Sequence, residues 1–213
     1  MSTTAASTRP AFTRAAMDVM ARALVASLFV MLSLNLWSDF VQTQRVTGLL
    51  LLVSEALVVV LTIVRRRTEV VDRTAGAAVV TIASVVGPAL LRTVPDQALV
   101  PDALTAVVSV IGLLAVIAGK VTLGRSFGIA PANRGVVVRG PYGFVRHPIY
   151  AGCIVTHVAF ACAYPTIWNL TVLAVTDVAL VLRALCEERV LSRDWSYQRY
   201  CSRVSWHLVP GLF

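Results

Sequence analysis

Charge is scarce in this chain, and acid is the scarcer part of it. Only 14% of the 213 residues are charged, with 11 acidic against 19 basic, while 57% are hydrophobic. Soluble domains carry roughly 25% charged residues, so an ordinary soluble globular domain is excluded. The mean hydropathy of +0.77 belongs to an integral membrane protein. Cysteine is sparse too: Cys153, Cys162, Cys186 and Cys201 show no CxxC spacing, so neither a disulfide framework nor a zinc site is expected. Those within apolar segments read as small apolar side chains. His147, His157 and His207 lack the i, i+4 or Cys/His clustering of metal ligands, and no metal is expected. No internal repeat is present, and no alternating segments of about 10 residues point to a barrel.

What is there is a series of apolar runs: Ala21–Leu36, Val46–Val64, Ala75–Leu91, Ala103–Leu123, Ile149–Tyr164 and Ile167–Leu185. Each approaches the ~20 residues that cross ~30 Å of hydrocarbon. Backbone groups in lipid must bond within their own segment, so the runs are expected to be helices. The expected fold is all-α, a polytopic membrane bundle of about six transmembrane helices.

The net charge of +8 could suggest nucleic acid, but the basic residues are sorted by loop. Arg9 and Arg14 precede the first run; Arg65, Arg66, Arg67 and Arg73 follow the second. Lys120, Arg125, Arg134, Arg139 and Arg146 follow the fourth, and Arg189, Arg193, Arg199 and Arg203 follow the sixth. The opposite loops hold Asp39, Asp96 and Asp102, with Arg45 and Arg92 near their edges. This asymmetry places both termini in the cytoplasm and leaves no role for nucleic acid. No small-residue cleavage pattern follows Ala23–Trp37, so the first run reads as a retained helix, in an inner or ER-type membrane. Three regions follow: a disordered basic segment at 1–18, scaffold helices at 19–118, and a catalytic half with a cytoplasmic end at 119–213.

That last region holds the polar chemistry. Gly124–Gly152 is broken by Pro131, Pro141 and Pro148, which disfavour helix just before them, so it is expected to be a cytoplasmic surface loop. Gly135 and Gly140 permit close backbone approach to a ligand. Tyr142 and Tyr150 offer flat faces for a ring or a cation. His147 precedes Pro148 at a helix start, where an anion is favoured. At the end of the sixth run, Arg183 and Glu187 share one helix face. The plain reading is an interfacial ion pair; the functional one is an Arg gripping an anionic substrate while Glu187 orients it. Glu55 and Asp177 fall inside apolar runs, where an ionised group costs at least ~2.5–3.5 kcal/mol, so each is expected to be protonated or paired.

Several motifs together resemble the isoprenylcysteine carboxyl methyltransferase family of integral membrane enzymes. They are Leu123-Gly-Arg-Ser-Phe127, Gly140-Pro-Tyr142, Arg146-His-Pro-Ile-Tyr-Ala-Gly152, Glu187-Glu188, Tyr197-x-x-Tyr200, and the ending from Val204 to Pro210-Gly211. The resemblance covers roughly Leu113–Phe213. It implies S-adenosyl-L-methionine as cofactor, with Arg134, Gly135, Val136, Val137, Tyr142, His147, Pro148, Ile149 and Tyr150 lining its pocket. It further implies that Arg183 and Glu187 stand near the methyl acceptor, with Arg146 and Glu188 in the same motifs. The chain departs from the family at Arg193-Asp194, where many relatives carry Phe-Gly before the paired tyrosines.

The expected partners are the lipid bilayer and a lipophilic small-molecule or lipidated acceptor. A carboxylate is its own nucleophile, whereas a thiol or amine must lose a proton and no dedicated base stands out; this favours a carboxylate. The alternatives are an NADPH-dependent membrane sterol or enone reductase, and a phospholipid N- or small-thiol S-methyltransferase. Such reductases share Arg-His-Pro-x-Tyr but commonly have Asn before the Tyr, where this chain has Ile149. A transporter and a non-enzymatic scaffold are further classes, the former weakened by the lack of inverted repeats.

Overall fold

The computed structural model describes residues 46–68, 70–92 and 98–212, with isolated positions between 19 and 41. Most of the first apolar run, the N-terminal segment and the side chain of Glu55 lie outside the described residues. Among those described, the structure is all-helical: α1 (Val46–Val64), α2 (Ala75–Val86), α3 (Asp102–Leu123), α4 (Pro148–Ala163), α5 (Ile167–Leu191) and the short α6 (Trp195–Cys201). No strand forms among them; a single bridge pairs Val71 with Ala132.

Local chemistry sets the boundaries. Thr74 caps α2 by accepting from the Ala77 amide at 3.2 Å, and Thr166 caps α5 through the Asn169 amide at 3.1 Å. Pro148 opens α4, where its missing N–H costs nothing. Gly124, at φ 49°, stops α3 in a backbone conformation that a side chain would strain. The third run is shorter in helix than its apolar length: α2 ends at Val86, and Gly87–Leu90, containing Pro88, tightens into a 3-10 turn. The sixth is longer, because α5 continues through Glu187, Glu188 and Arg189 to Leu191. Two helices, the α3 stretch and α5, are long and apolar enough to cross a bilayer. The 16 residues of α4 rise only about 24 Å.

Small residues bring the helices together, as suits packing where lipid supplies no hydrophobic drive between helices. On the α3–α4 contact, a Cβ added to Gly112 would stand 2.8 Å from the Gly152 carbonyl oxygen, and one on Gly152 would stand 2.6 Å from that of Gly112. Gly119 meets Ile149 on the same seam. α2 approaches α5 where Gly87 faces Thr176. α1 is tied to α3 by buried Lys120, whose Nζ donates to the Ser54 carbonyl at 3.0 Å and to its Oγ at 2.7 Å. Large apolar side chains such as Val79, Ile111 and Ile167 point outward, a surface that lipid can cover.

Asp177 proves to be paired, as an acid within an apolar run is expected to be: His157 Nδ1 on α4 lies 2.5 Å from its Oδ1 on α5. Asn169, fully buried, holds the other end of α5. Its Nδ2 donates to the carbonyls of Arg92 and Tyr164 at 2.8 and 3.0 Å, and its Oδ1 accepts from the Arg92 amide at 3.0 Å.

Candidate active site

Three segments converge where α4 begins and α5 ends. Pro148 starts α4 immediately after Arg146-His147, and the extension of α5 carries Arg183, Glu187 and Glu188 past the same level. The C-terminal segment completes the site by lying against the helix start. The Arg146 amide donates to the Trp206 carbonyl and the His147 amide to that of His207, both at 2.9 Å. Arg146 anchors the segment further, Nε to the Val204 carbonyl at 2.8 Å and an Nη to that of Cys201 at 3.3 Å.

Glu188 is the hub. Its Oε2 pairs with Arg146 at 3.2 Å, while its Oε1 meets His147 Nε2 at 3.0 Å and His207 Nδ1 at 2.6 Å. A carboxylate accepts, so these contacts assign the hydrogen to Nε2 of His147 and to Nδ1 of His207. Spacing alone offers no reason to associate the histidines. The fold carries His207, 60 residues away in sequence, onto the carboxylate that His147 already uses. The three donor atoms lie within 4.8 Å of one another, and hydrogen bonds account for the approach of both rings.

Glu187, one residue earlier, faces the other side of His147, its Oε2 3.8 Å from Nδ1. It accepts the Tyr150 hydroxyl. The Tyr150 and His147 rings are stacked, 5.5 Å apart and 7° from parallel, and the Arg183 guanidinium lies 5.2 Å from the Tyr150 ring centre. Arg183 is buried. It donates from one Nη to Ser84 Oγ on α2 at 3.2 Å and from the other to the Ile129 carbonyl in the loop. Its Nε, 3.7 Å from Glu187 Oε1, has no hydrogen-bond partner. The expected Arg183–Glu187 pair is therefore present, with a buried N–H left over.

Arg146, His147, Tyr150, Arg183, Glu187 and Glu188 thus form one connected cluster. Tyr142 stands beside it, buried in the turn Gly140–Gly143, with its carbonyl accepting the Tyr200 hydroxyl at 2.7 Å. Burial, then the Glu187 carboxylate, pushes the Tyr142 hydroxyl well above its ordinary pKa. Burial likewise pushes Tyr200 up to about 12, against the pull of Arg146, so Tyr200 remains a donor.

The other expected cofactor residues are arranged differently. The Arg134 side chain folds back into its own loop, its Nη 3.4 Å from the Ala130 carbonyl and packed against Gly128. Gly135, at φ 101°, is exposed, and its amide donates to Asn133 Oδ1 at 2.9 Å. Val136 packs on Tyr197, Tyr200 and Val204. Val136 and Val137 make no backbone hydrogen bond among the described residues, leaving donors and acceptors there for a ligand. Pro148 and Ile149 serve packing, Ile149 against Gly119 and the Val58–Phe127 core.

Asp194 explains the departure at Arg193-Asp194. It caps α6 through the Ser196 amide at 2.9 Å and accepts Asn133 Nδ2 at 2.9 Å, fixing the loop to α6. The Ser196 hydroxyl, followed by Asn133, holds its carboxyl below the ordinary range. Sequence reasoning missed His207, Asn133, Ser84 and Asp194; only the ending of the chain hinted that His207 belonged to the site.

A cleft of about 460 Å3 opens beside Glu188, lined also by Leu185, Arg189, Ser192, Tyr197, Gln198 and Cys201, within the ~300–1,000 Å3 of small-molecule sites. Two carboxylates can accept from an ammonium and the stacked Tyr150 and His147 rings offer faces to a sulfonium, groups that S-adenosyl-L-methionine carries.

The matching class is a membrane methyltransferase. The family model for phospholipid methyltransferase matches residues 97–198, from just before α3 to α6, a stretch that includes all six residues of the cluster and stops short of His207. Over that stretch, just under half of its length, the chain is similar to the family of membrane methyltransferases that takes in phospholipid and isoprenylcysteine carboxyl methyltransferases. No curated protein matches the chain.

Proposed function

We propose that the protein transfers a methyl group from S-adenosyl-L-methionine to a lipophilic acceptor at the cytoplasmic membrane face, and that the acceptor group is a carboxylate. The carrying observation is the Arg183 Nε–H, buried without a hydrogen-bond partner between Glu187 and the Tyr150 ring. A buried donor without a hydrogen bond is stabilised by an added acceptor, and the carboxylate of a methyl acceptor would supply one. The membrane placement is that of six helices with both termini cytoplasmic, residues 119–213 forming the catalytic half on 19–118 as scaffold.

The cofactor supplies a methyl group already activated by its sulfonium. The chain then has to align and dehydrate. Glu187 and Glu188 offer acceptors for an ammonium, and the stacked Tyr150 and His147 rings offer faces near a positive sulfur. Backbone groups at Val136 and Val137 are open to a base edge. Arg183 would hold the acceptor carboxylate so that one oxygen lies in line with the methyl–sulfur bond. Transfer to a carboxylate oxygen would form a C–O bond as the donor's C–S bond broke, cancelling the charges of carboxylate and sulfonium, and the burial of Arg183 and Tyr150 would favour that cancellation.

Calorimetry on detergent-purified protein tests the reading. Wild type is expected to bind S-adenosylhomocysteine saturably and His147→Ala to bind it roughly tenfold more weakly, in line with about 1–3 kcal/mol for a buried partner removed. Saturable NADPH binding without S-adenosylhomocysteine binding would move the protein to the reductases. Binding of neither would end the enzymatic reading.

A further inference from the structure

A second polar site lies away from the cluster. α1 ends at Val64 and runs directly into Arg65, Arg66 and Arg67, while Arg125 sits in the turn that ends α3. The two ends are fixed side by side: the Arg66 amide donates to the Arg125 carbonyl at 2.8 Å, and Arg125 Nε donates to the Val64 carbonyl at 3.2 Å. Between them is a cleft of about 630 Å3 lined by Ile63, Val64, Arg65, Arg66, Arg67 and Arg125. Among the described residues its lining holds no acid.

We infer that this cleft binds the phosphate headgroup of an anionic phospholipid from the surrounding leaflet. Two chemistries meet in it. Four arginines line it, and a guanidinium fork matches phosphate oxygens. Ile63 and Val64, 57% and 43% exposed, carry the apolar surface of α1 to the edge of the cleft, where acyl chains would lie. A free phosphate would engage the arginines and leave that apolar wall bare. Loop sorting of basic residues accounts for arginines on this side of the membrane; it does not account for their convergence, through the Arg66–Arg125 bond, on one cleft with an apolar wall. The site also touches the loop of the cluster described above, since a Cβ on Gly135 would stand 3.1 Å from an Arg66 Nη. The inference rests on α1 being embedded in the bilayer and is independent of methyl transfer.

Native mass spectrometry of the full chain in detergent, titrated with phosphatidylglycerol or with phosphatidylcholine of the same acyl chains, tests it. Wild type is expected to retain one phosphatidylglycerol about tenfold or more tightly than phosphatidylcholine. Arg65→Gln/Arg67→Gln is expected to lose that preference, and Arg193→Gln/Arg203→Gln, which removes the same charge elsewhere, to keep it. Should the first double variant fail to fold, Arg65→Lys/Arg67→Lys keeps the charge, removes the forks and is expected to bind several-fold more weakly than wild type. No preference in wild type, or equal losses in both glutamine doubles, would overturn the site. Inorganic phosphate binding as tightly as the lipid would overturn the lipid assignment.

Discussion

At the scale of single residues, the decisive contacts are those of Glu188. One carboxylate oxygen serves two imidazoles and the other serves Arg146, so the hub joins α4, α5 and the C-terminal segment. His207 touches Glu188 at 2.6 Å, the place of a positioning residue. Removing it leaves a carboxylate oxygen short of one donor, a loss of about 1–3 kcal/mol. His207→Ala is therefore expected to weaken S-adenosylhomocysteine binding by roughly tenfold, while His207→Asn, whose amide N–H stands where Nδ1–H stood, restores most of it. Unchanged affinity in the alanine variant, measured by calorimetry, would refute the role. The motif residues were readable from the sequence as types: Arg, His, Tyr and paired Glu between apolar runs announce costly polar chemistry. Their partners were not, because Ser84, Ile129 and His207 are brought in from other segments and have no special spacing of their own.

At the scale of elements, apolar runs translate well into helices. The expected Val46–Val64 is α1 residue for residue, and the other described helices start within one residue of their runs. The ends were harder to read. α2 stops early because Pro88 and Gly87 tighten the chain, and α5 runs on because nothing after Leu185 breaks it before Ser192. The α3–α4 seam depends on Gly112 and Gly152. Gly112→Ala forces a Cβ within 2.8 Å of a backbone oxygen and is expected to cost about 1–3 kcal/mol, seen as a Tm lower by several degrees in detergent. Gly76→Ala, with nothing within 4 Å of its Cβ, is expected to leave Tm unchanged or raise it. Equal effects of the two substitutions would refute the close seam.

At the scale of the whole molecule, hydropathy and charge sorting act together. Six crossings with basic loops inside, the arrangement proposed above, would put both termini in the cytoplasm. Fluorescent-protein fusions at either end are expected to fluoresce and alkaline phosphatase fusions to remain inactive, in a bacterial inner membrane; active phosphatase at one end alone would make the number of crossings odd, and at both ends would invert the topology. What the sequence determined by itself is the solvent, the helical class and the residue types of the site. Those follow from the unbonded backbone that lipid cannot tolerate and from the cost of charge in an apolar run. What only the tertiary structure decided is which polar groups share a neighbour. Arg134 turned into its own loop, Asp177 found His157, and His207 closed on Glu188. Such pairings depend on where glycine contacts let helices approach and where the chain's last segment lies, quantities that no local pattern encodes.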